Sequence, residues 1–169
     1  MHTSNPRWVQ DRTRPRFPQR AIVTAGMPYG NKDLHFGHVG GVFAHADAFA
    51  RFLRDRIGRA NVIFQSGTDC YGSPIVEDYR KRVAAGEFSG TLEEFVRANH
   101  ARQKETLAAY SIRLDLFAAS GFDRYAEIHR EVGAWLLKTL HAHGHVAKLT
   151  TPQFYDVERQ TWKPRKVFA

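Results

Sequence analysis

The stretch AIVTAGMPYGNKDLHFGH, residues 21–38, decides the fold. Its first five residues form a short apolar run that is typical of a buried parallel strand, and a turn rich in Gly, Pro and Asn follows. His35 and His38 then flank Gly37 where a helical pattern begins. Glycine admits a phosphate close to the backbone, the N–H groups of a first helical turn point at it, and imidazoles donate hydrogen bonds. The pattern therefore indicates a triphosphate site, and a helix cap with a packed ring is the alternative that this spacing leaves open.

The residues after this stretch complete a strand-helix-strand unit. Apolar residues recur three and four apart over residues 38–57, and Gly58 follows as a left-handed stop. Residues 61–65 have the composition of a second strand. Strands connected in this way are parallel with a right-handed crossover, and ligands bind beyond their carboxyl ends. Residues 27–38 and 67–73 are both predicted at that edge of the sheet.

Three further helices and a hairpin are predicted downstream. Ser73 is expected to cap a helix with Pro74 in its first turn, and a capping box at Thr91 opens the next helix. Asp123 is expected to cap a third helix, which carries an apolar stripe. Short alternating segments then predict a β-hairpin region, with strands over residues 146–149, 153–157 and 162–168.

Two motifs accompany the HxGH element in a fixed order: Met27–Asn31 (MPYGN) precedes it and Gly67–Ile75 (GTDCYGSPI) follows it. With these motifs the chain resembles the class I aminoacyl-tRNA synthetases and, within them, the methionyl-tRNA synthetase family, whose motifs are PY-x-N, HIGH and G-T-D-E-H-G. The order and spacing hold over residues 20–75, and a weaker likeness continues to Lys166. Cys70-Tyr71 replaces the family's Glu-His, which leaves the amino-acid specificity open.

The resemblance implies a reaction and a set of site residues. The reaction is attack by the carboxylate of methionine on the α-phosphorus of ATP, assisted by Mg²⁺, followed by aminoacyl transfer to tRNA. The resemblance implies that His35 and His38 are catalytic residues that contact the phosphates. It places Gly26, Pro28 and Gly37 with these histidines in the ATP-binding site. It assigns Met27, Tyr29 and Asp69 to the amino-acid-binding site. Asp69 would anchor the amino group.

The resemblance also implies a division of the chain. Residues 20–144 correspond to the N-terminal half of the nucleotide-binding domain, a partial Rossmann-type α/β fold, and residues 145–169 to the start of a connective β insertion. The family's KMSKS loop, zinc knuckle and anticodon-binding domain have no counterpart here. The chain is therefore expected to match the first quarter to third of a family enzyme, and alone to bind ATP weakly and activate amino acid poorly.

Composition limits the partners. The formal charge of +8 and pI of about 9.9 favour anionic ligands such as a nucleotide or tRNA. Residues 1–19 form a basic arm that is expected to be disordered because it offers little apolar surface. The single cysteine, Cys70, excludes an internal disulfide and a cysteine-rich zinc site. Without an apolar run long enough for a membrane, a cytoplasmic location is expected.

Three functions remain open from the sequence. The chain is the N-terminal catalytic part of a methionyl-tRNA synthetase, a stand-alone paralogue that binds nucleotide, amino acid or RNA without aminoacylation, or an HxGH nucleotidyltransferase with a substrate other than tRNA. A truncated sheet would leave an open edge, so a partner chain or self-association is expected. The histidines of residues 141–145 are attributed to a helix C-terminus, and no metal site is predicted.

Overall fold

Three parallel strands form the central sheet in the order β1-β2-β3. The computed structural model describes residues 17–150, 152, 155–157 and 161–162. The strands are β1 (Ala21–Thr24), β2 (Val62–Thr68) and β3 (Leu116–Ala119). Helices connect them, which confirms the predicted α/β class and the partial Rossmann-type arrangement of parallel strands with crossover helices.

The helix after β1 is built from three consecutive segments. They are α1 (Phe36–His38), the π-helical segment π1 (Val39–Phe43) and α2 (Ala44–Ile57). Gly58 ends α2 at the predicted position with a φ of 90°, but its ψ of 143° lies outside the left-handed helical region that was predicted. The π-helical segment was not predicted, because apolar spacing does not distinguish a local i→i+5 turn from an α-helix.

Three longer helices follow: α3 (Ser73–Ala84), α4 (Leu92–Ala109) and α5 (Asp123–Ala142). The capping box of Thr91 with Glu94 at the start of α4 is confirmed. The prediction that Ser73 caps α3 is wrong, because Gly72 occupies the N-cap position at a φ of 130° and Ser73 is the first helical residue. Asp123 begins α5, and its carboxylate accepts a hydrogen bond from Arg97.

Two strand predictions need correction. Strand β2 extends three residues further than expected, to Thr68, and β3 was not predicted at all. The sequence of β3, Leu-Phe-Ala-Ala, is too short and too uniform to show alternation. It becomes a strand by pairing with β2, from Gln65 opposite Leu116 to Thr68 opposite Ala119.

The hairpin region is confirmed in part. Strands β4 (Tyr155–Asp156) and β5 (Thr161–Trp162) pair antiparallel, but residues 146–149 form no strand. Residues 163–168 of the third predicted strand lie outside the described residues, as does the arm before residue 17. The chain divides into two compact units, Met1–His129 with the sheet and Arg130–Ala169 with the hairpin. The predicted domain boundaries at residues 19 and 144 stay predictions.

The two faces of the sheet differ in how they are covered. Helix α2 packs on one face, where Val23 of β1 and Phe64 of β2 are buried in the main apolar cluster. On the other face Ile22 and Ile63 lie opposite each other in the register and are 67% and 49% exposed. Parallel sheets are ordinarily covered on both faces, so this pair is an apolar surface in the described part of the chain. None of the described helices combines the length and apolar character that a membrane crossing requires.

Candidate functional site

The tips of β1 and β2 are joined by backbone hydrogen bonds beyond the strands themselves. The amide of Asp69 donates to the carbonyl of Pro28, and the amide of Gly30 donates to the carbonyl of Asp69, both at 2.8 Å. Tyr29 and Asp69 thereby form an isolated parallel bridge. The structure thus brings together two residues that the sequence assigned to the amino acid, at the carboxyl edge where the sheet topology places ligands.

Met27 and Gly26 complete this strand-tip group. The terminal methyl of Met27 approaches Gly67 of β2, where an added Cβ would lie 3.2 Å from it. Gly26 has open space where a Cβ would stand, and the Ser66 hydroxyl donates to its carbonyl at 3.3 Å. Met27 and Tyr29 are 46% and 47% exposed, so the group forms an apolar, accessible shelf.

His35 and His38 cap the helix reciprocally. Nδ1 of His35 accepts a hydrogen bond from the amide of Gly37 at 3.1 Å, and Nδ1 of His38 accepts from the amide of His35 at 3.3 Å. Their ring centroids are 3.9 Å apart. A neutral imidazole whose Nδ1 accepts carries its hydrogen on Nε2. Both Nε2–H groups therefore remain as donors for a ligand, and the cap and the ligand use different nitrogens of each ring.

The structure explains glycine at position 37 differently from the expectation that it admits phosphate close to the backbone. A Cβ at Gly37 would lie 2.9 Å from Cε1 and 3.0 Å from Nδ1 of His35. The space beside Gly37 is therefore filled by the His35 ring, and the Gly37 amide, expected to point at phosphate, donates to that ring. Both features hold the His35 ring in place, so the contribution of Gly37 to the site is to position His35.

The charge state of His38 fits this arrangement. Partial burial lowers the pKa of His38 below its ordinary value, and repulsion from Lys32, and from His35 whenever that ring is protonated, lowers it further. The ring is thus held neutral near pH 7, which its accepting Nδ1 requires. Lys32 adds a cation beside the histidine pair, and a cation at this position favours an anionic ligand.

The second motif is ordered by its own side chains. Asp69 Oδ1 accepts a hydrogen bond from the amide of Tyr71 at 3.0 Å, which fixes the turn. The amide of Cys70 donates to the Ser120 hydroxyl at 2.9 Å. Burial raises the pKa of the Cys70 thiol and the charge of Asp69 raises it further, against hydrogen bonds with Gly121 and Ser120. Cys70 is therefore a packed neutral thiol beneath the turn.

Several of the predicted site residues, Met27, Tyr29 and His35 among them, are exposed. A cavity in the first unit lies beside β3, is lined by residues that include Lys104, Arg113 and Asp115, and contains none of the predicted site residues. Within the described ranges there is also no group of three or more His, Cys, Asp or Glu side chains arranged to hold a metal. His143 Nδ1 lies 2.8 Å from the carbonyl of Thr139, a contact within its own helix end.

Several residues that build the site were not singled out from the sequence. Ser66 holds the carbonyls of Ala25 and Gly26, and buried Asn99 and Gln103 of α4 hold the loop after β1. A signal for the last two exists: they lie at helical spacing among the apolar residues of α4, where a polar side chain must have an internal partner. His100 of the same helix is half-buried and hydrogen-bonded to Thr68 at 2.8 Å.

Comparison with known proteins identifies the family of this chain. The family described as tRNA synthetases class I (M) matches residues 21–168. That range contains all the described strands and the whole candidate site. The chain belongs to the class I tRNA synthetase family.

Individual relatives narrow the resemblance to one branch of that family. The chain is 31% identical over 139 residues to a methionine–tRNA ligase of Cytophaga hutchinsonii, which is 82% of this chain and 18% of the relative. It is 36% identical over 138 residues to that of Thermomicrobium roseum, 82% of this chain and 22% of the relative. It is 32% identical over 158 residues to that of Haloquadratum walsbyi, 92% and 20%. The chain thus spans about a fifth of these relatives, less than the quarter to third expected.

Proposed function

We propose that this chain carries the ATP-binding and methionine-binding part of a methionine–tRNA ligase. The observation that carries the proposal is the proximity in sequence of the two predicted binding groups. The Tyr29–Asp69 bridge lies just beyond the ends of β1 and β2, and the histidine pair that caps the next helix begins six residues after Tyr29. The family match and the relatives support the same assignment.

The proposed reaction is activation of methionine. A carboxylate oxygen of methionine attacks the α-phosphorus of ATP, a phosphorus–oxygen bond forms, and the bond to pyrophosphate breaks to give methionyl-adenylate. Nε2–H of His35 and of His38 donates to phosphate oxygens, where charge develops as pyrophosphate leaves. Such catalysis consists mainly of positioning and neutralisation of charge.

The remaining residues bind and orient the substrates. Asp69 holds the amino group through its carboxylate, and Met27 and Tyr29 supply the apolar shelf for the thioether side chain. Gly26, with open space where a Cβ would stand, and the buried Pro28 border the adenylate, while Gly37 keeps His35 in place. These assignments match the roles that the resemblance implies.

Magnesium and tRNA are partners of the proposed reaction. The described residues contain no carboxylate cluster that could hold Mg²⁺ by itself, so the ion would arrive on the phosphates of ATP, as Mg²⁺ commonly does. It would neutralise phosphate charge there. Transfer of the aminoacyl group to tRNA belongs to an enzyme with the full length of the relatives, of which the matched region is 18% to 20%. We place that enzyme in the cytoplasm.

Calorimetry with methionine, ATP and a non-hydrolysable methionyl-sulfamoyl adenylate tests the proposal. We expect the adenylate mimic to bind most tightly, and Asp69→Asn to weaken methionine and the mimic but not ATP. Asp33→Asn is the matched control, because Asp33 lies on the neighbouring loop and pairs with Arg102 at 2.6 Å. Absence of binding of both methionine and the mimic to the wild-type chain would refute the assignment.

A second function is suggested by Cys70-Tyr71, which stand where the family motif has Glu-His. A paralogue that binds the ligands without activating them could keep the rest of the site and lack this carboxylate and this imidazole. Pyrophosphate exchange with methionine separates the two functions. Slow exchange in the presence of tight mimic binding supports an incomplete ligase, and binding with no exchange above background supports the paralogue.

A further inference from the structure

Two buried amides of α4 hold the loop that follows β1. Asn99 and Gln103 lie one helical turn apart and are 1% and 0% exposed. Nδ2 of Asn99 donates to the carbonyl of Gly30 at 3.0 Å. Nε2 of Gln103 donates to the carbonyls of Tyr29 and Lys32, each at 2.9 Å. Three loop carbonyls are thereby satisfied from one helix, although they have no partner within a regular strand or helix.

The other end of the Gln103 amide reaches the tip of β2. Its Oε1 accepts a hydrogen bond from the Thr68 hydroxyl at 2.8 Å, and Thr68 is 0% exposed. Thr68 directly precedes Asp69, whose backbone pairs with Pro28 and Gly30. One side chain therefore connects the loop that carries Tyr29 with the strand tip that carries Asp69.

His100 gives this chain of hydrogen bonds a single direction. The Thr68 hydroxyl hydrogen is committed to Gln103, so its oxygen accepts from Nδ1–H of His100 at 2.8 Å. The His100 ring stacks on Phe117 with centroids 5.1 Å apart and meets the edge of Phe122 at 5.4 Å. The order of donation is thus from His100 to Thr68 to Gln103 to the loop, and reversal at any member would break the next bond.

A neutral His100 is consistent with this order. Burial lowers the pKa of His100, and the positive charges of Lys104 and Arg97 lower it further against the opposing charge of Asp123. One nitrogen then carries the hydrogen, as donation to Thr68 requires. The aromatic contacts hold the ring in place without a further polar partner.

We propose that Gln103 is a positioning residue, which sets the separation between the loop of residues 29–32 and Asp69 and so holds the amino-acid site and the histidine pair in register. The inference rests on the proposed function for its ligand, but its structural content stands apart from it. An amide that only stabilised the core could join any two segments. This one joins the two segments that carry the proposed binding residues, 74 and 35 positions away in the sequence.

Two pairs of variants test the proposal. Gln103→Met keeps the length and apolar body of the side chain and removes every hydrogen bond, and Gln65→Met is its control on the opposite face of β2, at a half-buried position. Thr68→Val removes the hydroxyl with little change of shape. Thr68→Ser retains the hydroxyl and is the conservative variant expected to restore the wild-type behaviour.

Hydrogen–deuterium exchange and ligand affinity are the two readouts. In Gln103→Met and Thr68→Val, the amides of Gly30 and Asp69 should exchange at least about tenfold faster, as expected for loss of one buried hydrogen bond. Amides of α2 should be unchanged, which shows that the effect is local. Affinity for the methionyl-sulfamoyl adenylate should fall about tenfold, and Thr68→Ser and Gln65→Met should match the wild type.

Each outcome decides the proposal. Exchange at Gly30 and Asp69 that stays at the wild-type rate in both Gln103→Met and Thr68→Val overturns it. If Gln103→Met fails to fold, the Val and Ser variants of Thr68 decide alone, because they differ by one hydroxyl. If the wild type binds no mimic, the proposed function fails and the exchange rates still decide the role of Gln103.

Discussion

The rings of His35 and His38 lie with their centroids 3.9 Å apart and their planes tilted by 35°, and each accepts a backbone hydrogen bond through Nδ1. The helix-capping role of His35 and its proposed ligand-binding role can therefore be tested separately by substitution. His35→Ala should lower the free energy of unfolding by about 1 kcal/mol, since it removes an N-cap acceptor. His35→Asn should restore that stability, because asparagine is a good N-cap. Urea unfolding measures both.

Ligand binding should respond differently to the same two variants. Both lack the Nε2–H group, so both should bind ATP more weakly than the wild type by calorimetry, whatever their stability. An Asn variant with wild-type ATP affinity would show that the His35 ring does not contact phosphate.

The pH dependence of stability follows from the lowered pKa of His38. The folded chain takes up this proton less readily than the unfolded chain, whose histidine titrates near the ordinary value of 6.5. The stability is therefore complete above about pH 6.5 and decreases as the pH falls below it. Unfolding in urea between pH 7.5 and 5.5 should show this decrease. His100, whose pKa is also lowered, contributes with the same sign, so His38→Gln should reduce the slope without removing it.

Gly37 and Gly41 form a matched pair in one continuous helical run. Gly37→Ala places a methyl group 2.9 Å from the His35 ring, which must leave its capping position, and should destabilise the chain by about 1 kcal/mol. Gly41→Ala meets no atom within 4 Å and should be neutral or stabilising by about 0.5–1 kcal/mol. Thermal unfolding checks the sign of each. Equal effects would contradict the assigned role of Gly37.

Cys70 should be a slow nucleophile in the folded chain. Burial raises the pKa of its thiol, and the thiol donates a hydrogen bond to the carbonyl of Thr68 at 3.5 Å. Since the thiolate is the reactive form, reaction with a disulfide reagent at pH 7.5 should be much slower than in urea, where the chain is unfolded. Similar rates in both conditions would show that the thiol is accessible and unperturbed.

The uncovered face of the sheet should bind a hydrophobic dye. Ile22→Thr combined with Ile63→Thr keeps β-branched side chains and removes the paired apolar surface, so dye fluorescence should fall. Leu149→Thr is the control, because Leu149 is 82% exposed and lies outside the sheet. Unchanged fluorescence in the double variant would place the dye elsewhere. Association with a partner chain or a second copy stays a prediction.

The parts of the fold that follow local rules could be predicted from the sequence. The periodicity of α2, the Gly58 stop and the Thr91 capping box each depend on residues within one or two turns of each other. Strand β3 could not be predicted, because its four residues become a strand only through pairing with β2. The π-helical segment was missed for the related reason that the apolar period is almost the same.

The site shows the same limit. The HxGH element and the motif that contains Asp69 could be recognised from neighbouring residues alone. The reason for Gly37 required the position of the His35 ring, which a motif does not contain. The role of Gln103 could not be predicted, because its hydrogen-bond partner, the carbonyl of Tyr29, is 74 residues away in the sequence. The only local sign was a polar side chain at an apolar position of α4. Long-range partners of buried polar groups are thus the part of this site that a single sequence does not give.

The bridge between Tyr29 and Asp69 keeps the backbone geometry of the strand tips independent of the side chains that follow it. The two strand tips are joined by main-chain hydrogen bonds, and no side chain at positions 70 and 71 takes part in them. Positions 70 and 71 can therefore exchange Glu-His for Cys-Tyr without displacing the carboxylate that precedes them. Side-chain selectivity could in this way change while the proposed contact of Asp69 with the amino group persisted.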